Sequence, residues 1–486
     1  MSRLWQRFRD LAFDMFLWGQ RYRWPIPAGA RGVVHTILAK TIDPTPAGTP
    51  SRVDEWPRSL PLGDQSSLRR NDSPTREVGV LPAATIRSTG DPPWPANRQR
   101  LRCMVATGTL DLGGLEIVAL FLAQGLPSHG LDTVVAHTPL ARSGDRAADS
   151  LRLDGVPMVR IPEGDIRQWL ETQRPDVISM HCPPDWLVAA AADARIPTIE
   201  TLHGAHDLLE KDTWPREQLR SQQITGFVAV SELVRRQYLR ANPGYSPECI
   251  VTIPNGVDDH HIIHRNRSQA RAWLGLRDEF LFVSLARYAL QKNTFGLVTA
   301  FSDVARACPD AHLLIAGAVI DPFYFEQVRR LRDSLPCAGQ IHLHGPCPDV
   351  STLLAAADAF VLDSFFEGWS LASMEALFAG LPVVLSEVGG AREQVGDDQR
   401  RGFVVGNPLG DPEAVDWPSM GSARFCSQIN RAVLIEAMCA VVADRDHWRE
   451  AREELKAESV SRFSIDACLQ RYAEVLTRAA TSVNRH

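Results

Sequence analysis

The feature that most constrains the fold is an alternation of short apolar runs with helical stretches. Leu101–Thr107 is a short apolar run suited to a buried strand, and a glycine-bearing loop, an apolar helix over 115–124 and a second run, Leu131–Ala136, follow it. A strand, a helix and a strand at this spacing predict a βαβ unit with a parallel sheet. Further candidate strands of the same half are 176–180, 198–202 and 226–230.

The second half of the chain repeats this pattern. Its candidate strands are 280–285, 312–316, 340–344, 359–362 and 382–385, with helical stretches between them. We therefore expect an α/β protein with two doubly wound Rossmann-like domains, residues 101–265 and 266–463, facing across a cleft. Ligands of open parallel sheets bind beyond the carboxyl ends of the strands, so the cleft is the expected site.

Composition narrows the class of protein. A chain of 486 residues is too long for one core, and 44% hydrophobic with 23% charged residues is typical of soluble globular proteins. The net charge of −6 gives no general attraction to nucleic acid, so an anionic ligand needs a local positive site. The 9 cysteines are scattered and form no C-x-x-C pair, which favours reduced thiols and a cytoplasmic location. Neither a membrane-spanning run nor a secretory signal is expected.

Residues 1–100 differ from the rest of the chain in composition and in hydrophobic pattern. The segment Met1–Trp24 has apolar and aromatic residues at helical spacing with arginines largely on the other face, which predicts an amphipathic helix. Such a helix can lie in a membrane interface or dock on protein, and both alternatives stay open. From about Ile42 to Arg100 the chain is rich in Pro, Ser, Arg, Asp and Gly, so we expect a mostly disordered linker.

Two acids flank a predicted helix start. Glu367 and Gly368 follow the candidate strand 359–362, and Ser370 is a plausible N-cap for a helix over 371–378 that carries Glu375. The N–H groups of a first helical turn favour a phosphate, and carboxylates on either side of it can bind sugar hydroxyls. Taken alone, the two acids are more simply an exposed loop acid and an ordinary helix acid.

Two cations follow another strand of the same domain. Arg287 and Lys292 lie five residues apart after the candidate strand 280–285. A diphosphate leaving group needs positive charge as its bond breaks; arginine offers a fork of donors and lysine a mobile point charge. A solvated surface pair is the plainer alternative, and it is weakened by the position of both residues at a strand end.

Together these motifs make the chain resemble glycosyltransferase family 4, the group 1 retaining enzymes of GT-B fold. The resemblance covers residues from about Leu101 to the C-terminus. The motifs that carry it are Gly113-Gly114-Leu115-Glu116, Pro254 to Asp258, Arg287 with Lys292, Glu367 with Glu375, Gly380 to Val384, and Gly389 to Glu393. Ala286 stands where the family has glycine, and the stretch from Asn407 to Arg424 looks longer than usual.

The resemblance implies a donor site. Arg287 and Lys292 would bind the donor diphosphate, Glu375 the ribose hydroxyls, and Glu367 and His203 the reacting sugar. The remaining donor-site residues implied are the backbone of Gly368, Trp369, Ser370 and Leu371, the glycines Gly113 and Gly114, and the turn around Pro346 near the base. The donor would be a UDP- or GDP-linked sugar. The helix over 464–486 would cross back onto the first domain.

The resemblance also implies retention at the anomeric carbon and no cofactor or metal. The one Asp-x-Asp string considered as a metal site, Asp444-Arg445-Asp446, reads better as a helix start. The implied acceptor is a hydroxyl of a glycan or lipid-linked sugar, and the expected location is cytoplasmic. Contact of residues 1–24 with the cytoplasmic face of the membrane is one of the two alternatives that the amphipathic pattern leaves open. Two alternatives remain: a hydrolysing nucleotide-sugar epimerase, and a non-catalytic GT-B-like subunit docked at the membrane.

Overall fold

The computed structural model describes residues 53–57, 94, 99–108, 114–138, 156–204, 206–257 and 265–482. The predicted amphipathic helix Met1–Trp24 lies outside these ranges. None of the helices within them combines the length and the apolar character that a membrane crossing needs.

The first domain is built on a seven-stranded parallel sheet of order β3-β2-β1-β4-β5-β6-β7. Its strands are β1 (Leu101–Thr107), β2 (Leu131–His137), β3 (Met158–Arg160), β4 (Val177–His181), β5 (Thr198–Leu202), β6 (Gly226–Ala229) and β7 (Ile250–Thr252). The helices of this domain are α1 (Gly114–Gly125), α2 (Ile166–Gln173), α3 (Asp185–Asp193), α4 (Trp214–Arg220) and α5 (Glu232–Ala241). The central strand β4 is buried along its whole length, as expected for a sheet covered by helices on both faces.

The second domain holds a six-stranded parallel sheet of order β10-β9-β8-β11-β12-β13. Its strands are β8 (Phe280–Leu285), β9 (Ala311–Ala316), β10 (Ile341–His344), β11 (Ala359–Leu362), β12 (Val383–Ser386) and β13 (Gly402–Val405). Its helices are α6 (Arg267–Trp273), α7 (Thr294–Ala307), α8 (Pro322–Ser334), α9 (Val350–Ala356), α10 (Leu371–Phe378), α11 (Ala391–Val395), α12 (Trp417–Ala423), α13 (Arg431–Ala443), α14 (Arg445–Glu450) and α15 (Arg452–Arg462).

These two sheets confirm the predicted fold of two doubly wound domains. The sequence patterns missed three short strands, β3, β7 and β13. Each of them lies at an edge of its sheet. Each has only three or four residues and is only partly buried, so it shows neither a continuous apolar run nor a measurable alternation.

The last helix, α16 (Ile465–Ser482), packs on the first domain rather than on the second. Its buried side chains, including Leu469, Tyr472 and Leu476, share a cluster with residues of α1 and β1. The Tyr472 hydroxyl lies 3.3 Å from Thr201 Oγ1. At Gly125 a β-carbon would overlap the side chain of Leu469, so the glycine lets the two helices approach closely. From β1 to α16 the chain therefore crosses between the domains twice.

Two places in the predicted linker are docked on the domains. Val53–Pro57 lies against β10, where Asp54 forms a parallel bridge with His344. Trp94 is 6% exposed, and the Arg102 guanidinium lies 5.6 Å from the centre of its ring. These residues are therefore ordered and docked within a stretch that the sequence predicts to be mostly disordered. Their aromatic side chains supply the apolar area that the surrounding composition lacks.

Candidate active site

The predicted cations lie in the turn after β8. Arg287 is exposed, and no hydrogen bond or ion pair joins its guanidinium to another described residue. Ala286 is buried and does not have a positive φ, so alanine fits where the resemblance expects glycine. Close approach is supplied instead by Gly317 after β9, where a β-carbon would overlap the carbonyl group of Ala286. Arg287 thus remains available to a ligand.

Lys292 and Glu367 are in direct contact. The Lys292 ammonium donates to Glu367 Oε1, and the two side chains are 14% and 10% exposed. The same carboxylate oxygen accepts a hydrogen bond of 2.7 Å from the Ser364 hydroxyl. The carbonyl of Ser364 in turn accepts a hydrogen bond of 2.7 Å from the Ser386 hydroxyl. The ends of β8, β11 and β12 therefore meet at one carboxylate.

The helix start predicted at Ser370 is present. The Ser370 hydroxyl accepts a hydrogen bond from the Ser373 N–H at 3.2 Å, which makes it the N-cap of α10. The Ser370 carbonyl accepts hydrogen bonds from the Ser373 hydroxyl at 2.9 Å and from Gln394 Nε2 at 3.1 Å. Leu371 is the half-buried first residue of the helix. The loop from Gly368 to Ser370 is therefore held rigidly at the positive end of α10.

Glycines pack the loop against its neighbours. Gly389 has φ +45°, and a β-carbon on it would overlap the Gly368 carbonyl. A β-carbon on Gly390 would overlap the indole ring of Trp369, which is buried and also meets Phe463 edge-on at 5.7 Å. These glycines allow the Gly389–Gly390 turn to lie directly beneath the loop that carries Glu367.

Glu375 lies on α10 and is partly buried. No hydrogen bond or ion pair joins its carboxylate to another described residue. Burial raises the pKa of Glu375 to about 7. A partly buried carboxyl group with a raised pKa and no protein partner is a candidate for ligand contact.

His203 follows β5 in the first domain and lies opposite the Glu367 loop. Its Nε2 is 2.8 Å from Nδ1 of His181, whose Nε2 is 3.2 Å from the Ser179 hydroxyl. Burial lowers the pKa of His203 to about 3 and also lowers the pKa of His181. Both rings are therefore neutral at pH 7 and act as hydrogen-bonding groups.

The two domains touch at the site itself. A β-carbon on Gly368 would overlap the carbonyl group of His203 and lie 3.0 Å from the Cα of Gly204. The carboxyl end of β5 in one sheet thus faces the loop after β11 in the other. The backbone of His203 and the loop that carries Glu367 are therefore direct neighbours.

A buried polar network joins the two loops from below. Asn293, which follows Lys292, has φ 49° and donates a hydrogen bond of 2.9 Å to Asp363 Oδ2. Asn430 Nδ2 donates to the other oxygen of Asp363 at 2.7 Å. Burial raises the pKa of Asp363 to about 7. Asp363 and Ser364 are consecutive, so this network fixes the Lys292 turn relative to the Glu367 loop.

The long stretch 407–424, here called the clasp segment, lies between the domains. Asn407 Nδ2 donates to the Phe365 carbonyl at 3.0 Å. Val415 and Met420 share an apolar cluster with Leu209 of the first domain, and Leu290, Phe365 and Phe366 complete the buried part of this cluster. The segment therefore touches the residues that precede both Lys292 and Glu367.

Polar contacts reinforce the clasp segment along α5. Arg236 pairs with Glu413 at 2.7 Å, and Arg240 pairs with Asp411 at 3.4 Å. Gln237 Nε2 donates to the Pro412 carbonyl at 2.9 Å. Nearby, the N–H of Glu232 donates to Glu393 Oε1 at 2.7 Å. The first turn and the outer face of α5 are thus tied to the second domain.

The structure says less about the remaining predicted site residues, Gly113, Gly114 and Pro346. Gly113 lies outside the described residues, and Gly114 begins α1. Pro346 is exposed, and its carbonyl accepts a hydrogen bond from Trp56 Nε1 at 3.2 Å. Across the described ranges, no group of three or more His, Cys, Asp or Glu side chains is arranged to hold a metal ion.

Comparison with known proteins matches a part of each domain to a family model. Residues 112–261 match the profile "Glycosyltransferase Family 4", and residues 266–417 match "Glycosyl transferases group 1". The chain belongs to the family 4 glycosyltransferases. The family match and the curated relatives show that the protein is a glycosyltransferase.

Two curated relatives illustrate the range of the family. Alpha-maltose-1-phosphate synthase of Mycolicibacterium smegmatis is 28% identical over 282 residues, which are 54% of this chain and 68% of the relative. D-inositol 3-phosphate glycosyltransferase of Frankia alni is 25% identical over 429 residues, which are 78% of this chain and 99% of the relative.

Two solved structures of similar fold align with this chain over nearly the whole of their own length. A glycosyltransferase from Rickettsia africae superposes with a TM-score of 0.63 at 16% identity, over 78% of this chain and 99% of the other. Anabaena HepE in complex with UDP gives 0.61 at 18% identity, over the same shares of the two chains. At these identities the likeness shows the fold, which is GT-B.

Four polar residues of this family 4 site were not among the predicted site residues. Ser364 binds Glu367, Asp363 and Asn293 join the two loops, and His181 binds His203. The signal for Asp363 and Ser364 was present, since polar residues directly after a buried strand lie at its carboxyl end. Nothing local distinguishes Asn293, because its partner is 70 residues away.

Proposed function

We propose that this glycosyltransferase transfers a sugar from a nucleoside-diphosphate sugar to a hydroxyl of a glycan or lipid-linked acceptor, with retention at the anomeric carbon. The observation that carries the proposal is the contact between Lys292 and Glu367 at the point where Gly368 meets His203. A cation for a leaving group and a carboxylate for a sugar thus lie together in the cleft between two sheets.

The diphosphate is held by Arg287 and Lys292. Arg287 is free to present its fork of donors, and Lys292 is a mobile cation beside it. In the absence of donor, Lys292 is neutralised by Glu367. The diphosphate brings more negative charge than one carboxylate, so it draws the ammonium towards itself. The positive end of α10 and the backbone N–H groups from Gly368 to Leu371 favour the same anion.

The sugar and the ribose are held by the two acids. Glu367 contacts the hydroxyls of the reacting sugar, and Glu375, which has no protein partner, accepts from the ribose hydroxyls. His203 is neutral at pH 7, so it contributes a hydrogen bond to the sugar rather than a positive charge. Gly113 and Gly114 close over the diphosphate from the first domain.

Bond breaking separates the sugar from the nucleoside diphosphate. The C–O bond lengthens as Arg287 and Lys292 stabilise the charge on the leaving oxygen, and an oxocarbenium-like sugar forms. The acceptor hydroxyl attacks from the face of the departing phosphate, which takes the acceptor proton. Cations supplied by the protein perform the work that a metal ion performs elsewhere, so no metal or cofactor enters the proposal.

The base of the donor is proposed from a structural neighbour. Anabaena HepE is described in complexes with UDP and with UDP-glucose. UDP-linked sugars are therefore the first donors to test, with GDP-linked sugars in parallel. The place of action that we propose is the cytoplasmic face of the membrane, in bacterial polysaccharide or glycoconjugate synthesis, with residues 1–24 as the contact.

The test is a screen of the full chain against UDP- and GDP-sugars with a panel of sugar acceptors. Release of nucleoside diphosphate that depends on acceptor, with an α-linked product from an α-linked donor by NMR, supports the proposal. Release of an epimerised free sugar from donor alone identifies a hydrolysing epimerase instead. Unchanged glycan output in cells carrying Glu367→Ala and Lys292→Ala identifies a non-catalytic subunit.

Membrane contact is tested separately, by comparing the full chain with a variant that lacks residues 1–30 in flotation with anionic liposomes. Loss of binding in the shortened chain supports the contact. Equal binding removes the membrane claim and leaves the transferase claim untouched.

A further inference from the structure

Residues Val53–Pro57, here called the edge segment, extend the second sheet. β10 is an edge strand of this sheet, so no other named strand pairs with its outer backbone groups. The Asp54 N–H donates to the Leu343 carbonyl at 2.7 Å, and the Leu343 N–H donates to Asp54 Oδ2 at 2.7 Å. The edge segment therefore covers β10 with a main-chain contact and a side-chain contact.

An ion pair fixes this register. Arg332 Nη1 donates to both carboxylate oxygens of Asp54, at 3.0 and 2.9 Å. The Arg332 side chain is 14% exposed, so solvent screens the pair only in part. Of the two acids in the segment, Asp54 is the one that meets this largely buried arginine, which fixes the position of the segment on β10.

Trp56 then reaches the turn that follows β10. Its ring stacks on His344 at 4.2 Å and on Trp273 at 5.6 Å, with interplanar angles of 27° and 7°. Its Nε1 donates to the Pro346 carbonyl at 3.2 Å. Val53, at the other end of the segment, lies 3.4 Å from the position of a β-carbon on Gly345. The edge segment therefore touches three consecutive residues, His344 to Pro346.

The same turn is joined to the diphosphate cations. The Tyr288 hydroxyl donates to the His344 carbonyl at 3.0 Å, and the Gly317 N–H donates to it at 3.3 Å. Tyr288 directly follows Arg287, and Gly317 lies against the backbone of Arg287. The turn that the edge segment contacts is therefore a close neighbour of the backbone that carries Arg287, and it lies on the nucleotide side of the proposed diphosphate site.

We propose that Trp56 is a positioning residue for the nucleobase half of the donor. The edge segment packs on the turn His344–Pro346 and holds it in place. A segment that precedes both domains in the sequence thus contributes to the nucleotide site. The inference rests on the proposed function and on the family resemblance, which implies that the base lies near the turn around Pro346. Loss of the indole removes an aromatic stack and a hydrogen bond, so we expect affinity for a nucleoside diphosphate to fall about tenfold.

The experiment is calorimetric titration of the full chain with UDP, with GDP in parallel, and with pyrophosphate, which lacks base and ribose. For Trp56→Ala we expect about tenfold weaker binding of the nucleotide and pyrophosphate binding within about twofold of the wild type. Trp56→Phe keeps a stacking ring and should recover most of the affinity. In turnover, Trp56→Ala should raise KM for the donor and leave kcat close to the wild-type value.

Trp94→Ala is the matched control, because it removes the other docked tryptophan of the extension from the first domain. It should alter the melting temperature without altering the ratio of nucleotide to pyrophosphate affinity. Arg287→Ala should weaken both ligands. Nucleotide binding by a folded Trp56→Ala that equals the wild type, or an equal loss for nucleotide and pyrophosphate, overturns the inference. Failure of the wild type to bind either nucleotide overturns the proposed function and this inference with it.

Discussion

Lys292, in the turn after β8, donates a hydrogen bond to Glu367, in the loop after β11, although the two residues lie 75 positions apart. Both side chains are largely buried. This single contact joins the cation motif to the acid motif. In the donor site that we propose, the diphosphate therefore has to compete with Glu367 for the ammonium.

Replacement of Lys292 by alanine should lower kcat by roughly a hundredfold, because a cation that stabilises the leaving group is lost. It also leaves Glu367 buried without its charged partner, so the melting temperature should fall. Lys292→Arg keeps the charge and should retain the stability but only part of the activity. The measurements are steady-state kinetics and thermal unfolding. Full activity of Lys292→Ala would contradict the assigned role.

Donor binding should release protons near neutral pH. Burial raises the pKa of Glu375 to about 7 in the free protein, whereas hydroxyl donors from a ribose favour the ionised carboxylate. Nucleotide affinity should therefore rise as pH increases through about 7 and level off above it. Titration in buffers of different ionisation enthalpy measures the proton release. Glu375→Gln should bind weakly, and its affinity should lose the part of the pH dependence that Glu375 contributes.

Stability of the free protein should move in the opposite direction with pH. The folded-state pKa values of Asp363 and Glu375 are both raised to about 7, so the folded chain holds more protons than the unfolded chain from about pH 4 to 7. These two groups contribute stability that is present below about pH 4 and lost as pH rises through about 7. Comparison of Glu375→Gln with the wild type isolates the contribution of Glu375. Between about pH 4 and 7 the unfolding free energy of the variant should decline less than that of the wild type.

Asn293 should be sensitive to replacement by alanine. Its φ of 49° disfavours a residue with a β-carbon other than Asn or Asp, and its amide donates to the buried Asp363. Asn293→Ala should cost about 1–3 kcal/mol of unfolding free energy. Asn293→Gly relieves the backbone strain but still lacks the amide, so it should recover only part of that loss. Chemical denaturation of the three proteins tests this order, and equal stability of alanine and glycine variants would contradict it.

The ion pair between Arg236 and Glu413 should couple domain closure to catalysis. The two side chains are 41% and 31% exposed, so the pair itself contributes only about 0.2–1 kcal/mol. Charge reversal is a stronger test: Glu413→Arg places two arginines together across the cleft and should raise KM for the donor at low salt. Arg236→Glu combined with Glu413→Arg should restore it. Failure of the double variant to recover would argue that the clasp segment acts through its apolar contacts alone.

The fold could be read from the sequence because central strands and their connecting helices carry strong local patterns. β1, β8 and β11 are short apolar runs followed by loops, and Ser370 has the side chain that an N-cap needs. The edge strands β3, β7 and β13 escaped notice, since three or four residues with one open side give no clear period. The edge segment escaped for a different reason: the aromatic partners of Trp56, Trp273 and His344, are buried residues of the second domain that lie far along the chain.

The sequence by itself determined which residues follow strand ends, and therefore that Arg287, Lys292 and Glu367 belong to one edge of one sheet, with Glu375 on the helix that comes next. Only the tertiary structure decided that Lys292 meets Glu367, that Gly368 meets His203, and that Trp56 stacks on His344. The physical reason is the range of the interactions. Hydrophobic periodicity and capping act within a few residues and leave a local trace, whereas packing between domains joins groups whose separation along the chain carries no pattern.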